Sequence, residues 1–122
     1  MGVCTPLEVQ LLLGFLSENY NIKDFSLHIH NTMGIAIAGV YKGFEMGIRK
    51  FETSAGGLGG CPNAPGAAGN LPTEEVVYLF ERMGIKTGID LDKVMEASRF
   101  IEKILNKNLT SRILCYKKSN IY

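Results

Sequence analysis

Tryptophan is absent from this 122-residue chain, and its longest apolar run, Leu11-Leu12-Leu13-Gly14-Phe15-Leu16, is far too short to span a bilayer. A basic leader with a cleavage site is also lacking, and Met1-Gly2 is followed at position six by Pro6 rather than the Ser or Thr of a myristoylation signal. Cysteine is scarce. Cys4, Cys61 and Cys115 form no CxxC pair, which argues against a disulfide framework or a thiolate zinc site and for a reducing, cytoplasmic setting. Charge of one sign is lacking as well: the net charge is +1, the 13 basic residues are dispersed, and Lys117-Lys118 reads as solvated tail. Nucleic acid and membrane are therefore not expected partners. The length suits one domain with its own core.

What the chain does contain is an alternation of helix and strand signals. Thr5-Pro6-Leu7-Glu8 forms a capping box with proline at the first helical position, predicting a helix to about Asn19 that buries Leu7, Leu11 and Phe15. Phe25 to His30 reads as a strand, with Leu27 and Ile29 on one side and Ser26, His28 and His30 on the other. Met33 to Gly47 has helical spacing, and its Gly34, Gly39 and Gly43 suggest close packing against a sheet. A second strand is predicted over Ile48 to Thr53, followed by a glycine-rich loop to Asn70. Thr73 is expected to cap a helix over Glu74 to Met83, closed by Gly84. Ile85 to Ile89 reads as a third strand, and Asp90 caps a last helix to about Asn106 with Val94, Ala97, Ile101 and Ile104 inward. Residues 107–122 have no firm period and read as a tail beyond a 1–106 domain. This order predicts an α/β fold of right-handed βα units on a parallel sheet, with the histidine face uncovered.

His28 and His30, at i and i+2, project side by side, which is one way to give two nitrogen ligands to one metal ion. An HxH pair also occurs as two polar residues on a solvated strand face, and the residues alone leave both readings open. The pair ends a strand and leads into a helix, the position at which α/β barrels place their chemistry. Asn31 follows and can orient a ligand. The loop Gly57–Asn70 is either a flexible surface segment or a lid that brings backbone close to a ligand, with Cys61 as its acid, base or nucleophile. It matches neither GxGxxG nor the phosphate-binding P-loop. Cys4 and Cys115 read as structural.

HIHNTMG from His28, GLGGCPNAPGAAGN from Gly57, and TEEVVYLFERMGIKTGIDLDKVMEA from Thr73 resemble the C-terminal part of the hydroxymethylglutaryl-CoA lyase family. The likeness runs from about Thr5 to Ile104, and the cysteine loop is its specific element, because HxHN is shared by a wider superfamily of lyases and synthases. The resemblance implies a partial TIM barrel of about three βα units, similar to strands six to eight with outer helices. It implies metal-dependent cleavage of 3-hydroxy-3-methylglutaryl-CoA to acetyl-CoA and acetoacetate. His28, His30 and Asn70 would ligate Mg²⁺ or Mn²⁺, with Cys61 and His28 as catalytic residues.

Two departures stand out. Asn31 occupies a place where lyases of this family often carry aspartate. A full barrel has about 250 residues, and the family's aspartate ligand on the first strand, with its neighbouring arginine, has no counterpart here. The opening from Met1 into a helix cap is expected of a truncated barrel. The expected partners are an acyl-CoA substrate and the missing N-terminal barrel portion or another copy of the chain. Alone, the chain is expected to turn nothing over and to hold metal weakly, for want of a carboxylate. Two alternatives are a non-catalytic barrel remnant or interaction module, and a related acyl-CoA lyase or condensing synthase.

Overall fold

A computed structural model describes residues 2–60 and 69–119, the last three of these through their backbone alone. Helix α1 spans Pro6–Ser17 and begins with the expected capping box, in which Thr5 and Glu8 satisfy each other's backbone N–H groups. A 3₁₀ turn, Ile22–Asp24, leads into β1, Ser26–His28. Helix α2 (Ala36–Glu45) then returns the chain to β2, Lys50–Glu52. The strands pair in parallel, with Ser26, Leu27 and His28 opposite Lys50, Phe51 and Glu52. Connecting parallel neighbours through a helix is the βα logic the sequence predicts.

The glycines of α2 have the role expected of them. A Cβ at Gly39 would lie 2.7 Å from the Ile29 side chain, and one at Gly43 would lie 2.6 Å from that of Leu27. Their absence lets α2 sit directly on β1. The main core follows from this contact, joining Val9 and Leu13 of α1, Ala36 and Val40 of α2, Ile29 and Ile48 beside the strands, and Leu71. Phe44, Phe51 and Phe80 continue it as a run of rings with centroids 5.1 and 5.4 Å apart.

Helix α3 spans Thr73–Arg82 and α4 spans Leu91–Leu105. Asp90 caps α4 through the Lys93 N–H, as expected, but Thr73 is not the cap of α3. Pro72 holds that position, and the Thr73 hydroxyl instead meets that of Thr53 at 2.8 Å. The third strand is also misplaced in the sequence reading. Residues 85–89 form no strand, because Thr87 bonds the Glu81 carboxylate through its N–H and hydroxyl and Gly88 turns the chain at φ +73°. The segment that pairs next to the β2 end of the sheet is residues 70–72, where Pro72 forms a parallel bridge with Ser54, just past β2. A cavity of about 430 Å³ opens among Phe44, Phe51, Val76, Phe80, Ile85 and Ile89. The described sheet is thus two parallel strands with two isolated bridges, Ser54–Pro72 and His30–Asn70, rather than three full βα strands.

Two helix faces also differ from expectation. In α1 the buried residues are Val9 and Leu13, while Leu7, Leu11 and Phe15 face outward. In α4 they are Met95, Ser98 and Glu102, whereas Val94 and Ile101 are half-buried and Ala97 and Ile104 exposed. The 107–122 stretch contains helix α5 (Arg112–Ser119), and its Leu114 joins Met95 and Leu109 in a second small core.

Candidate active site

The sheet face turned away from the helices carries Ser26 and His28 from β1 and Lys50 and Glu52 from β2, because alternate side chains of a strand share a face. His30 lies just beyond β1, with its ring centroid 5.1 Å from that of His28. The two imidazoles are therefore neighbours, as the HxH spacing requires.

Asn70 is brought to the same place by the return of the glycine loop. It forms an antiparallel bridge with His30, and residues facing each other in such a bridge lie side by side. The Asn31 N–H donates to the Gly69 carbonyl at 3.1 Å and locks this junction. Gly57, Gly59 and Gly69 leave no room for Cβ atoms there: one at Gly59 would meet the Asn70 amide at 2.7 Å. The Asn70 amide nitrogen donates to the Leu58 carbonyl at 3.1 Å, which leaves its oxygen available.

Two polar atoms in this cluster, His30 Nδ1 and Asn70 Oδ1, are buried with no hydrogen-bond partner among the described residues. Such atoms are costly unless something satisfies them. Both have lone pairs that suit a cation, so the donor set fits a divalent metal ion held by His28, His30 and Asn70. Imidazole nitrogen and amide oxygen are ligands that Mn²⁺ and, through oxygen, Mg²⁺ accept. Among the described residues no group of three His, Cys, Asp or Glu side chains converges, so this set lacks a carboxylate.

Asn31 does not point its oxygen into this cluster. Its carboxamide oxygen accepts the Ala36 N–H at 3.2 Å and so caps the start of α2. Cys61 lies outside the described residues. Of the two other cysteines, Cys4 precedes α1, where burial and then the Glu8 carboxylate push its thiol upward, and Cys115 is exposed on α5.

Two carboxylates that the sequence reading passes over complete the surroundings. Glu52 places Oε2 3.8 Å from His28 Nδ1 while its Oε1 accepts the Ser26 hydroxyl. Glu74, fully buried at the start of α3, accepts the Gly56 N–H on both oxygens at 3.0 Å and the Ser98 hydroxyl on one. The Gly56 carbonyl accepts the N–H groups of Thr110 and Ser111. The turn leading into the cysteine loop is thus gripped on both sides. Period-two alternation puts Glu52 on a shared face with Lys50, but only the register shows which residue faces His28.

Residues 1–101 match the sequence model of the HMGL-like family. A hydroxymethylglutaryl-CoA lyase of Bacillus subtilis is 42% identical over 98% of this chain and 40% of its own length. The human mitochondrial hydroxymethylglutaryl-CoA lyase is 39% identical over 93% of this chain and 35% of its own. Among solved structures, the crystal structure of the Bacillus subtilis HMG-CoA lyase superposes with a TM-score of 0.92 at 43% identity, covering 96% of this chain and 39% of that one. An HMG-CoA lyase from Acinetobacter baumannii, in complex with coenzyme A and 3-methylmalate, gives 0.86 at 37% identity over 93% and 37%. The chain spans about two fifths of the length of these relatives.

Proposed function

The chain belongs to the HMGL-like family, and on that premise we propose that it is the metal-binding part of a carbon–carbon lyase that cleaves 3-hydroxy-3-methylglutaryl-CoA to acetyl-CoA and acetoacetate. The observation that carries this reading is the pair of buried, unpartnered atoms His30 Nδ1 and Asn70 Oδ1, set beside His28 at the end of a parallel strand. The names of its relatives support the same reaction, and the Acinetobacter relative's bound coenzyme A supports an acyl-CoA substrate.

In this reading His28, His30 and Asn70 hold a divalent cation, Mg²⁺ or Mn²⁺. Such a cation supplies polarisation of the substrate's hydroxyl and carbonyl oxygens. His28, exposed on the sheet face, is the catalytic histidine of this reading: its one lone pair serves either the cation or the proton that the tertiary hydroxyl releases as the carbon–carbon bond breaks. Acetoacetate leaves with the new carbonyl, and the acetyl-CoA carbanion takes a proton from the Cys61 thiol. Asn31 acts through structure, fixing the start of α2 behind the histidines. The remaining barrel, including a carboxylate ligand, comes from a separate segment or chain, and we place the assembly in the cytoplasm.

The test supplies the missing part. The purified chain alone, with Mg²⁺ or Mn²⁺, is expected to show no cleavage of 3-hydroxy-3-methylglutaryl-CoA. Co-expressed with the portion of the Bacillus subtilis relative that precedes the matched region, it is expected to form acetoacetate, and His30→Ala is expected to abolish that activity. A co-purifying, folded complex without turnover would sink the proposal.

A further inference from the structure

We propose that Glu52 is a positioning residue for the site: it holds the His28 imidazole with its proton on Nδ1 and so leaves Nε2 as the lone-pair nitrogen. The inference rests on the metal-site reading above and deepens it, because it adds a residue that neither the HxH motif nor the cysteine loop contains.

Three observations carry it. First, Glu52 is the register partner of His28 across the parallel pair, so backbone pairing rather than chance side-chain placement sets the two side by side. Second, the carboxylate has two separate tasks. One oxygen accepts the Ser26 hydroxyl, and the other lies 3.8 Å from His28 Nδ1. Ser26 and His28 share a face of β1, so the glutamate bridges two residues of the neighbouring strand and its rotation is restrained. Third, the approach is from the Nδ1 side. A separation of 3.8 Å is within ion-pair reach but beyond a direct hydrogen bond. Both side chains are exposed, at 45% and 61%, and rotation of the imidazole, rather than of the tethered carboxylate, is what the proposal requires to close the gap.

A neutral imidazole carries one N–H, and the hydrogen bond made by one nitrogen decides which nitrogen remains a ligand or base. A carboxylate beside Nδ1 favours the proton there. This is the arrangement by which carboxylates fix the orientation and raise the basicity of metal-bound histidines. Glu52 itself is not a ligand in this account: it forms no three-residue metal cluster with the two histidines.

The experiment reads the tautomer directly. Long-range proton–nitrogen spectra of the histidine-labelled, metal-free chain, recorded at mildly alkaline pH, are expected to show His28 mainly as Nδ1–H. Glu52→Ala is expected to return His28 to the Nε2–H form that free imidazole side chains prefer, with His30 unchanged. Glu52→Gln, whose amide oxygen still accepts, is expected to keep the Nδ1–H form in part and serves if the alanine variant fails to fold. Titration with Mn²⁺, followed by paramagnetic broadening of the histidine ring signals, is expected to require about tenfold more cation in Glu52→Ala. Wild-type His28 in the Nε2–H form would overturn the proposal, as would a tautomer unmoved in a folded Glu52→Ala variant. Absence of wild-type broadening by Mn²⁺ would instead overturn the metal reading, while the tautomer result would stand as a separate measurement.

Discussion

Glu74 illustrates how a single side chain can shape a site it does not touch. It sits at the first turn of α3, where an anionic side chain suits the exposed backbone N–H groups, yet its carboxylate is fully buried and reaches to Gly56. There it takes the N–H of a residue at φ +62°, a conformation that favours glycine. Removing the carboxylate leaves that N–H and the Ser98 hydroxyl without their acceptor in the interior. Glu74→Ala is therefore expected to lower the unfolding free energy by about 3 kcal/mol, measured by urea denaturation. Ser98→Ala is expected to cost about 1 kcal/mol. A Glu74→Ala change below that of Ser98→Ala would contradict this account. Residues of the site differ in how visible they are beforehand. His28 and His30 are legible because their types and spacing carry ligand chemistry, and Asn70 only through the family resemblance of its loop. Glu52 and Glu74 are not, because a glutamate in a strand or a helical first turn is ordinary until its partner across the fold is known.

At the scale of elements, local chemistry predicts where helices begin better than which way they face. The capping box at Thr5 and the Asp90 cap of α4 depend on residues three apart and form as expected. Hydrogen bonds from the Thr5 N–H and hydroxyl hold the Glu8 carboxyl below its ordinary range, and those from Thr87 do the same for Glu81. A depressed carboxyl pKa stabilises the fold above the unfolded value, about 4.3 for glutamate, and that contribution is lost as pH falls through the lowered folded value. Acidification through this window is accordingly expected to release the first turn of α1, seen as lower protection of the Thr5 and Glu8 amides relative to their intrinsic exchange at each pH. Glu8→Gln is expected to remove that pH dependence, and its persistence in the variant would refute the assignment. Helix orientation needs more than period. Leu7, Leu11 and Phe15 form a plausible apolar face, but Val9 and Leu13 are the residues that meet α2. Likewise, apolar residues 85 and 89 suggest a strand, while Gly88 and the Glu81–Thr87 bonds make a turn with no strand to pair with.

For the whole molecule, the consequence is exposed apolar surface. Leu7, Leu11, Leu12 and Phe15 are 57–67% exposed along α1, and the sheet face bearing His28 has no layer above it among the described residues. An apolar patch of this kind promotes association. The isolated chain is expected to self-associate with rising concentration in sedimentation velocity, and the pair Leu11→Glu with Phe15→Glu to shift it toward monomer with helix content unchanged. A wild-type monomer at high concentration would contradict this. No helix among the described residues is long and apolar enough to cross a membrane.

By itself the sequence determined what local interactions control: the helix starts at Thr5 and Asp90, the βαβ alternation, and a histidine pair with a glycine loop of recognisable spacing. Only the tertiary structure decided that Asn70 meets His30, that Glu52 faces His28, that residues 70–72 rather than 85–89 pair just past β2, and that Glu74 grips Gly56. The physical reason is separation along the chain. Propensity and capping act over a few residues, whereas register, helix facing and buried hydrogen bonds depend on which distant segments exclude water together.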